Sequence, residues 1–388
     1  MYITQIIFWV LLSVIVYTYI GYGVFLFLIL KVKNLFSKRY IPEEFNLPTV
    51  SMVISAFNED DILDEKIENS LGLDYPKDKL EVIVVTDGSD DDSVNVGSKY
   101  SEITHLHENE RRGKISAMHR GVRHAQNEIL VFTDANTTLN TNVLKNIVRH
   151  YEDPNVGCVA GCKVVLEKGE ESVAGAGEGA YWKYESALKK MDSNLTSAMG
   201  AAGELFSIPK RLFREVESDT VLDDFMLSMR LVIDGYRTVY EPEAKATEYG
   251  SVNTKEELKR KIRIAAGGIQ SILRLLKLLN PLRYPLISWQ YVSHRVLRWT
   301  ITPISLPVVF ALNLYLVQFG EVYQLLAVAQ VVFYTLSVIG WILEGKGLKM
   351  MVFYIPFYFC MMNYAVIRGI FRYCKGQQSV VWEKAVRA

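Results

Sequence analysis

This 388-residue sequence has no excess of charge of either sign, because 43 Lys and Arg residues balance 43 Asp and Glu residues. Proteins whose main partner is nucleic acid need a basic excess to neutralise phosphates, so the composition argues against that class. Cysteine is also scarce, with four residues scattered along the chain. Two of them, Cys158 and Cys162, have the spacing C-x3-C but no second Cys or His pair nearby. This favours a reduced, strand-borne pair over a metal site.

Charge is absent altogether from residues 6–30, and a stretch of about 20 apolar residues suffices to cross a bilayer. The basic start, the short apolar core and the small-residue cleavage site of a signal peptide are missing as well. Basic residues follow at once in KVKNLFSKR (31–39), whereas the first five residues carry none. We therefore predict an N-terminal transmembrane helix in residues 1–31, with the chain cytoplasmic from residue 31 onward.

Residues 48–253 have the pattern of a soluble domain in which strands alternate with helices. Apolar runs that stop at polar residues predict strands at 49–57, 80–89 and 128–136. Two helical faces are indicated by apolar residues at helical spacing: Ile115, Met118, Val122 and Ala125, then Leu144, Ile147, Val148 and Tyr151. This alternation predicts an α/β fold with a mainly parallel sheet, in which ligands bind at the carboxyl ends of the strands.

The C-terminal part changes character again. Residues 254–300 mix Lys and Arg with Leu, Ile and Trp, as amphipathic helices in a membrane interface do. Apolar transmembrane segments are then predicted within 301–371, near 302–319, 322–343 and 350–370. Three full crossings would place the basic tail 372–388 outside, against the positive-inside rule. We therefore predict a cytoplasmic tail and one segment that does not fully cross, either the one with Pro356 or the one with Pro303 and Pro307.

Each predicted strand ends in acidic or amide side chains. The three ends are Phe57-Asn58-Glu59, Asp87-Gly88-Ser89 and Asp134-Ala135-Asn136. Taken singly, such residues cap the following helix or form a turn. Parallel strands bring all three ends to one edge of the sheet, however. Carboxylates grouped there suit a divalent cation with oxygen ligands, and such a cation usually brings phosphates with it.

Two further stretches carry candidate chemistry. Arg111, Arg112 and Lys114 surround a glycine at the start of a helix, where backbone N–H groups favour anions, although a solvated basic turn has the same pattern. Asp223 and Asp224 open a later helix. The helix dipole favours acidic residues there in any case, and the functional alternative is a general base beside a paired carboxylate.

These motifs together resemble those of membrane-bound family 2 glycosyltransferases, which include cellulose, chitin and hyaluronan synthases and ceramide glucosyltransferase. The resemblance rests on Asn58-Glu59, Asp87-Gly88-Ser89, Arg112-Gly113-Lys114, Asp134-Ala135-Asn136, GAAGELF (200–206) and Leu222-Asp223-Asp224-Phe225. No single motif is specific, whereas their order and spacing are. The resemblance implies a GT-A fold in the cytoplasmic domain, flanked by transmembrane and interfacial helices.

The resemblance also implies roles for individual residues. By this resemblance, the residues that contact the nucleotide donor are Phe57, Asn58, Glu59, Asp87 and Lys114. Asp134 and Asn136 occupy the family's D-x-D position, which holds Mg2+ or Mn2+ on the diphosphate. Asp224 takes the place of the catalytic base, with Asp223 beside it. The acceptor side comprises Gly203, Glu204 and Phe206.

Two positions depart from the family's pattern. The interfacial motif Q-x-x-R-W aligns with residues 260–264, where Arg260 replaces Gln, Arg263 keeps the arginine that assists the leaving diphosphate, and Ile264 replaces Trp. Because Ile264 offers no aromatic face to an acceptor sugar, its presence favours a single transfer over processive synthesis. Asn136 replaces the second acid of D-x-D and offers a carbonyl oxygen without charge. Trp382 and Arg387 resemble a C-terminal W…R element of related enzymes, and an interfacial anchor explains them equally well.

The predicted function is inverting transfer of a sugar from a nucleotide donor, a UDP-sugar, to a growing polysaccharide with a β-glycosidic bond. Its alternative is transfer of one sugar to a lipid acceptor. A nucleotidyltransferase would also use an α/β sheet, a metal and a nucleotide, and a membrane scaffold with a degenerate domain would transfer nothing. We expect membrane lipid but no nucleic acid as partner. The enzyme is expected in the plasma (inner) membrane with its catalytic domain in the cytoplasm.

Overall fold

The computed structural model describes residues 2–36, 45–166, 173–251, 253–348 and 350–377. Its strands are β1 (Val50–Ala56), β2 (Leu80–Asp87), β3 (Thr104–Glu108), β4 (Ile129–Asp134), β5 (Thr138–Leu139), β6 (Val156–Leu166), β7 (Leu205–Pro209) and β8 (Arg237–Tyr249). The helices of this central region are α3 (Leu63–Leu71), α4 (Ser93–Ser98), α5 (Lys114–His124), α6 (Val143–Val148), α7 (Val173–Leu195) and α8 (Asp223–Ile233), preceded by α1 (Tyr2–Val16) and α2 (Tyr22–Phe36). The C-terminal helices are α9 (Thr254–Arg274), α10 (Pro285–Tyr291), α11 (Leu297–Trp299), α12 (Ile301–Leu316), α13 (Glu321–Glu344) and α14 (Met351–Cys374).

The eight strands form one sheet in the order β3-β2-β1-β4-β7-β6-β8-β5. The predicted strands β1, β2 and β4 are confirmed and run parallel to one another. Their register aligns the ends, because Ala56 pairs with Thr86 and Ser55 with Asp134. The three polar strand ends therefore do meet at one edge of the sheet.

The expectation of a mainly parallel sheet holds, since β2 and β3 pair in parallel in the first half and β6 and β8 pair in parallel in the second. β7 is antiparallel to both β4 and β6, and β5 is antiparallel to β8, so the sheet is mixed. The direction of β7 depends on the side from which the chain returns after the long helix α7. The apolar pattern within a strand does not encode that side, and the sequence therefore did not predict the antiparallel direction of β7.

Both predicted helical faces pack against the sheet. Ile115, Met118 and Val122 of α5 are buried in a core cluster on one side, and Leu144 and Ile147 of α6 are buried on the other. Cys158 and Cys162 both lie on strand β6, as predicted, and their thiols are free. The sheet is thus covered by helices on both faces, which leaves its edge of strand ends for a ligand.

Among the described residues, four helical segments are long and apolar enough to cross a membrane: Tyr2–Leu35, Ile301–Phe319, Glu321–Glu344 and Met351–Cys374. The first is longer than the sequence predicted, since a π-helical turn at Tyr17–Gly21 joins α1 to α2 without a break. α1 packs against the C-terminal segments, with Phe8 in one apolar cluster with Val309, Leu316 and Tyr323. Most of the predicted tail 372–388, including Trp382 and Arg387, lies outside the described residues.

Candidate active site

The end of β1 is tied to the end of β2. Asn58 adopts a left-handed conformation with φ of 54°, which asparagine tolerates better than most residues. Its backbone N–H donates to Ser89 Oγ at 3.1 Å, and its side-chain Oδ1 accepts from the Asp90 N–H at 3.0 Å. Next to it, the Arg111 guanidinium lies 3.5 Å from the centroid of the Phe57 ring. The two predicted nucleotide-binding strand ends thus form one ordered surface.

Asp87 is buried, and its carboxylate accepts hydrogen bonds from other groups of the protein. Its Oδ2 accepts the backbone N–H groups of Arg112 at 3.0 Å and of Gly113 at 2.6 Å, and its Oδ1 accepts from Arg120 at 3.0 Å. The prediction gave Asp87 a direct contact to the nucleotide. In the structure it fixes the loop that leads into Lys114, and that loop needs Gly113 because its φ of 90° would strain a side chain.

Lys114 at the start of α5 reaches the end of β4, where its Nζ lies 2.6 Å from Asp134 Oδ1. Burial opposes the charge on this amine, but the carboxylates of Asp134 and Asp223 outweigh it and raise the pKa of Lys114 above its usual value. The lysine therefore stays protonated at neutral pH, so a fixed positive charge stands beside the carboxylate that is predicted to hold the metal.

Asp223 and Asp224 open α8 on the other side of this ion pair. A Cβ placed on Gly203 would lie 3.3 Å from Lys114 Nζ and 3.8 Å from Asp224 Cγ, so both groups lie close to this glycine, which carries no side chain to fill the space beside them. Burial and the neighbouring Asp223 carboxylate raise the pKa of Asp224 to about 7. A carboxylate with such a pKa can both accept and hold a proton near neutrality, which suits a general base.

Arg263 on α9 faces the same group of carboxylates. Burial lowers the pKa of Arg263, although the charges of Asp223 and Asp134 act in the opposite direction. Within the described parts of the chain it forms no ion pair or hydrogen bond, so its guanidinium is available to an anionic ligand. Arg260 one turn earlier is engaged instead, with its Nε 3.1 Å from Glu257 Oε2.

The predicted acceptor-side residues have different positions. Glu204 forms an ion pair with the buried Lys163. Although burial favours its neutral form, that lysine holds the pKa of Glu204 well below its usual range. Phe206 differs from the prediction, because its ring is fully buried in the core and stacks on Phe132 with 4.8 Å between centroids. It has no surface to offer an acceptor, since all five residues of β7 are buried and both faces of this strand are covered.

Lys163 also pairs with Glu248 of β8, whose Oε2 accepts from Asn136 Nδ2 at 3.2 Å. Lys163 and Glu248 thereby connect the predicted metal turn to Glu204. The sequence analysis missed both residues, and it missed Lys66 on α3. A charged residue in an otherwise apolar strand or helix face is the only local signal of such a buried pair, and Lys66 shares its face with Leu63, Ile67 and Ser70.

The turn after β4 can hold a divalent cation through few protein ligands. Lys114 takes one Asp134 oxygen and leaves the other, and the Asn136 carbonyl oxygen Oδ1 has no hydrogen bond among the described residues. No group of three or more His, Cys, Asp or Glu side chains in the described ranges is arranged to hold a metal. The site therefore fits Mg2+ or Mn2+ that also takes oxygen atoms from a diphosphate, rather than a cage made of protein alone.

The fold, with its edge of strand ends, is that of the GT-A glycosyltransferases. The structure matches a mannosyltransferase from Pyrobaculum calidifontis, solved in complex with GDP-Man and Mn2+, with a TM-score of 0.72. The match covers 96% of this chain and 99% of that one at 20% sequence identity. Residues 51–216 match the model of glycosyl transferase family 2, so this chain carries a family 2 glycosyltransferase domain, as the order of motifs predicted.

The similar curated proteins are polysaccharide synthases. The poly-beta-1,6-N-acetyl-D-glucosamine synthase of Staphylococcus aureus (strain MSSA476) is 25% identical over 267 residues, which are 63% of this chain and 63% of that protein. The synthase of the same name from Staphylococcus epidermidis is 23% identical over 233 residues, 58% of this chain and 56% of its own. The chain thus spans less than two thirds of the length of the curated relatives it matches.

The pKa of Asp224 sets an expected pH dependence. A base works only when ionised, so kcat/KM should fall as the pH drops through about 7 and level off above it. Initial rates across the neutral range test this. Because Asp223 raises the pKa of Asp224, Asp223→Asn should move the inflection to lower pH. A profile that is flat, or that falls with rising pH in this range, would contradict the assignment of Asp224.

Proposed function

We propose that this enzyme transfers a sugar with inversion from a UDP-sugar to a growing polysaccharide, forming a β-glycosidic bond. The observation that carries the proposal is the placement of Asp224, with its raised pKa, beside the same glycine, Gly203, as Lys114 of the Lys114–Asp134 pair. A proton acceptor and a cationic site for a diphosphate are what one displacement at an anomeric carbon requires on its two sides.

In this mechanism Asp224 takes the proton of an acceptor hydroxyl as the hydroxyl oxygen attacks the anomeric carbon. The bond from that carbon to the diphosphate oxygen breaks, and its electron pair leaves with the nucleoside diphosphate. Lys114 and Arg263 stabilise the charge that develops on the leaving group. A divalent cation bound at Asp134 and Asn136 would supply further positive charge there. The Phe57–Glu59 strand end and the loop that Asp87 holds bind the nucleoside.

The polysaccharide acceptor is supported by the similarity to the two staphylococcal synthases. A lipid acceptor and a single transfer form the second candidate, and one residue favours it. Ile264 stands on α9 where the resembling polymerases carry Trp, and aliphatic side chains do not stack on sugar rings as aromatic ones do. A test of the function must therefore size the product as well as detect the transfer.

The deciding experiment measures nucleotide release by the detergent-purified full chain with Mn2+ or Mg2+ across a panel of UDP-sugars and GDP-Man. Labelled product is sized on a gel and extracted into organic solvent. One UDP-sugar that gives a long product supports polysaccharide synthesis, and a short, lipid-extractable product supports the second candidate. Release from GDP-Man alone would overturn the UDP assignment. The same panel run with Asp224→Asn separates enzymatic transfer from contaminating hydrolysis.

The enzyme would lie in the plasma (inner) membrane with its catalytic domain on the cytoplasmic side. Support for an interfacial α14 comes from its packing along the polar helix α9. Tyr358 of α14 shares an apolar cluster with Leu258, and a Cβ on Gly369 would lie 2.5 Å from the Ala265 Cβ. α13 ends beside the start of α9, where Thr254 Oγ1 donates to Glu344. α14 then begins and ends on the side of the catalytic domain, which keeps the tail cytoplasmic.

This topology predicts that Cys374, at the end of α14, lies on the cytoplasmic side of the membrane. Its side chain is exposed in the structure. A membrane-impermeant maleimide should label Cys374 in inverted inner-membrane vesicles and leave it unlabelled in intact cells. Cys374→Ser is the matched control, because Cys158 is buried and Cys162 and Cys360 are less exposed than Cys374. Labelling from outside the intact cell would show that α14 crosses the bilayer.

A further inference from the structure

Lys66 is a buried lysine directly beneath the turn that carries Asp134. It lies on α3, only 3% of its surface is exposed, and its side chain reaches the end of β4, 67 residues further along the chain. Its Nζ lies 3.0 Å from Thr133 Oγ1, 2.7 Å from the Thr137 carbonyl oxygen and 3.2 Å from Thr137 Oγ1. The two threonines stand on either side of the turn, so one ammonium group ties its beginning to its end.

The hydrogen bonds of this group can be counted. An ammonium has three protons and no acceptor, and here it meets three oxygen atoms. The two threonine hydroxyls accept from Lys66 and pass their own protons on. Thr137 Oγ1 donates to the Asp134 carbonyl at 2.8 Å, and Thr133 Oγ1 donates to the Glu204 carbonyl at 3.0 Å. When the lysine is charged it can donate to all three oxygen atoms, so the network accommodates the ammonium form.

A buried ammonium without a carboxylate within hydrogen-bonding distance is costly, because burial removes its hydration. A methionine or leucine would fill the same space on the apolar face of α3 without that cost. Burial lowers the pKa of Lys66 to about 7, and the nearby Asp134 carboxylate, the proposed ligand of the cation, opposes that shift. A buried amine thus stands where its hydrogen bonds order the donor site.

We propose that Lys66 is a positioning residue of the donor site. Its ammonium group holds the turn 133–137 in the conformation that presents Asp134 and Asn136 to a divalent cation and a nucleoside diphosphate. Through Thr133 it also fixes the Glu204 backbone, so the donor turn and the loop that contains Gly203 share one support. The inference rests on the proposed function of this site as a donor site.

The effect of Lys66 on binding has two components of opposite sign. Removing its positive charge would by itself attract a cation more strongly to Asp134. Removing its three hydrogen bonds would release the turn and misplace the ligands. Groups that orient metal ligands typically contribute about 10- to 100-fold to metal affinity, and on this basis the positioning component should dominate.

The test is calorimetric binding of UDP to the full detergent-purified chain, with Mn2+ and separately with EDTA. Lys66→Met should weaken binding of UDP with Mn2+ by about 10- to 100-fold and leave binding in EDTA unchanged. A merely structural role would weaken both equally. The matched control is Lys145→Met, since Lys145 forms a surface ion pair with Asp74 at 2.8 Å and should bind UDP like the wild type.

The outcomes separate the two proposals. If the wild type binds neither UDP nor GDP with Mn2+, the result contradicts both the proposed function and the role of Lys66. If the wild type binds and Lys66→Met binds equally well or more tightly with Mn2+, only the role of Lys66 is overturned. Should Lys66→Met fail to fold, Thr137→Val decides instead. It removes the hydroxyl that joins Lys66 to the Asp134 carbonyl, and it should weaken Mn2+-dependent UDP binding by a smaller factor.

Discussion

Asp224→Asn is expected to lower kcat for sugar transfer by about 10²- to 10⁴-fold, the usual contribution of a positioned general base. Asparagine keeps the size of the side chain but cannot take the acceptor proton. Binding of UDP with Mn2+ should persist, because the ion pair of Lys114 with Asp134 at the donor side is untouched. Initial rates and calorimetric titrations on the same preparation measure the two effects.

Asp234→Asn provides the control for this variant. Asp234 follows the last turn of the same helix α8 and is exposed to solvent, so its substitution should leave both kcat and UDP binding unchanged. Transfer by Asp224→Asn near the wild-type rate would show that another group removes the proton. Loss of both transfer and UDP binding would instead place Asp224 on the donor side of the site.

Asp134→Asn should also affect binding: UDP binding in the presence of Mn2+ should fall to its level in EDTA, and transfer should drop at least about 100-fold. A carboxylate that holds a catalytic cation contributes several kcal/mol of charge stabilisation, and about 1.4 kcal/mol corresponds to a factor of ten. The substitution also leaves Lys114 without its partner at 2.6 Å. Binding of UDP in EDTA, which depends on the nucleoside contacts at the other strand ends, should be retained.

The exposed Asp78 before β2 serves as the matched control, since Asp78→Asn removes one carboxylate remote from the strand ends and should change neither measurement. If Asp134→Asn keeps full activity and its rate no longer responds to Mn2+ or Mg2+, the transfer depends on Lys114 and Arg263 alone. If its rate and metal dependence both match the wild type, the cation binds elsewhere. Together with Asp224→Asn, this variant separates donor binding from proton transfer.

Several residues of the candidate site could be predicted from the sequence because they stand at the ends of strands and the starts of helices. Asp134 ends an apolar strand, Asp224 opens a helix, and Gly113 precedes the helix that begins with Lys114. A strand end or a helix start is encoded by a few neighbouring residues. The apolar segments that could cross a membrane are equally local, and four of them are present in the described ranges.

Two predicted site residues have surroundings that depend on distant parts of the chain. Phe206 is close to the acceptor-side glycine in sequence, yet its ring lies in the core against Phe132, because both faces of β7 are buried. Asp87 has the type and position of a ligand-binding carboxylate, but backbone N–H groups 25 and 26 residues away already occupy it. Neither outcome can be found from residue type, because each depends on what the fold brings alongside.

The sequence by itself determined the order of strand ends, the acidic and basic groups at the site and the apolar segments on both sides, since short-range periodicity and turn chemistry encode them. Only the tertiary structure decided how the sheet is paired and which groups support the site. The hydrogen bonds from Lys66 to Thr133 and from Asn136 to Glu248 span 67 and 112 residues. Such contacts form when the sheet closes and brings these residues together, and no local pattern specifies them.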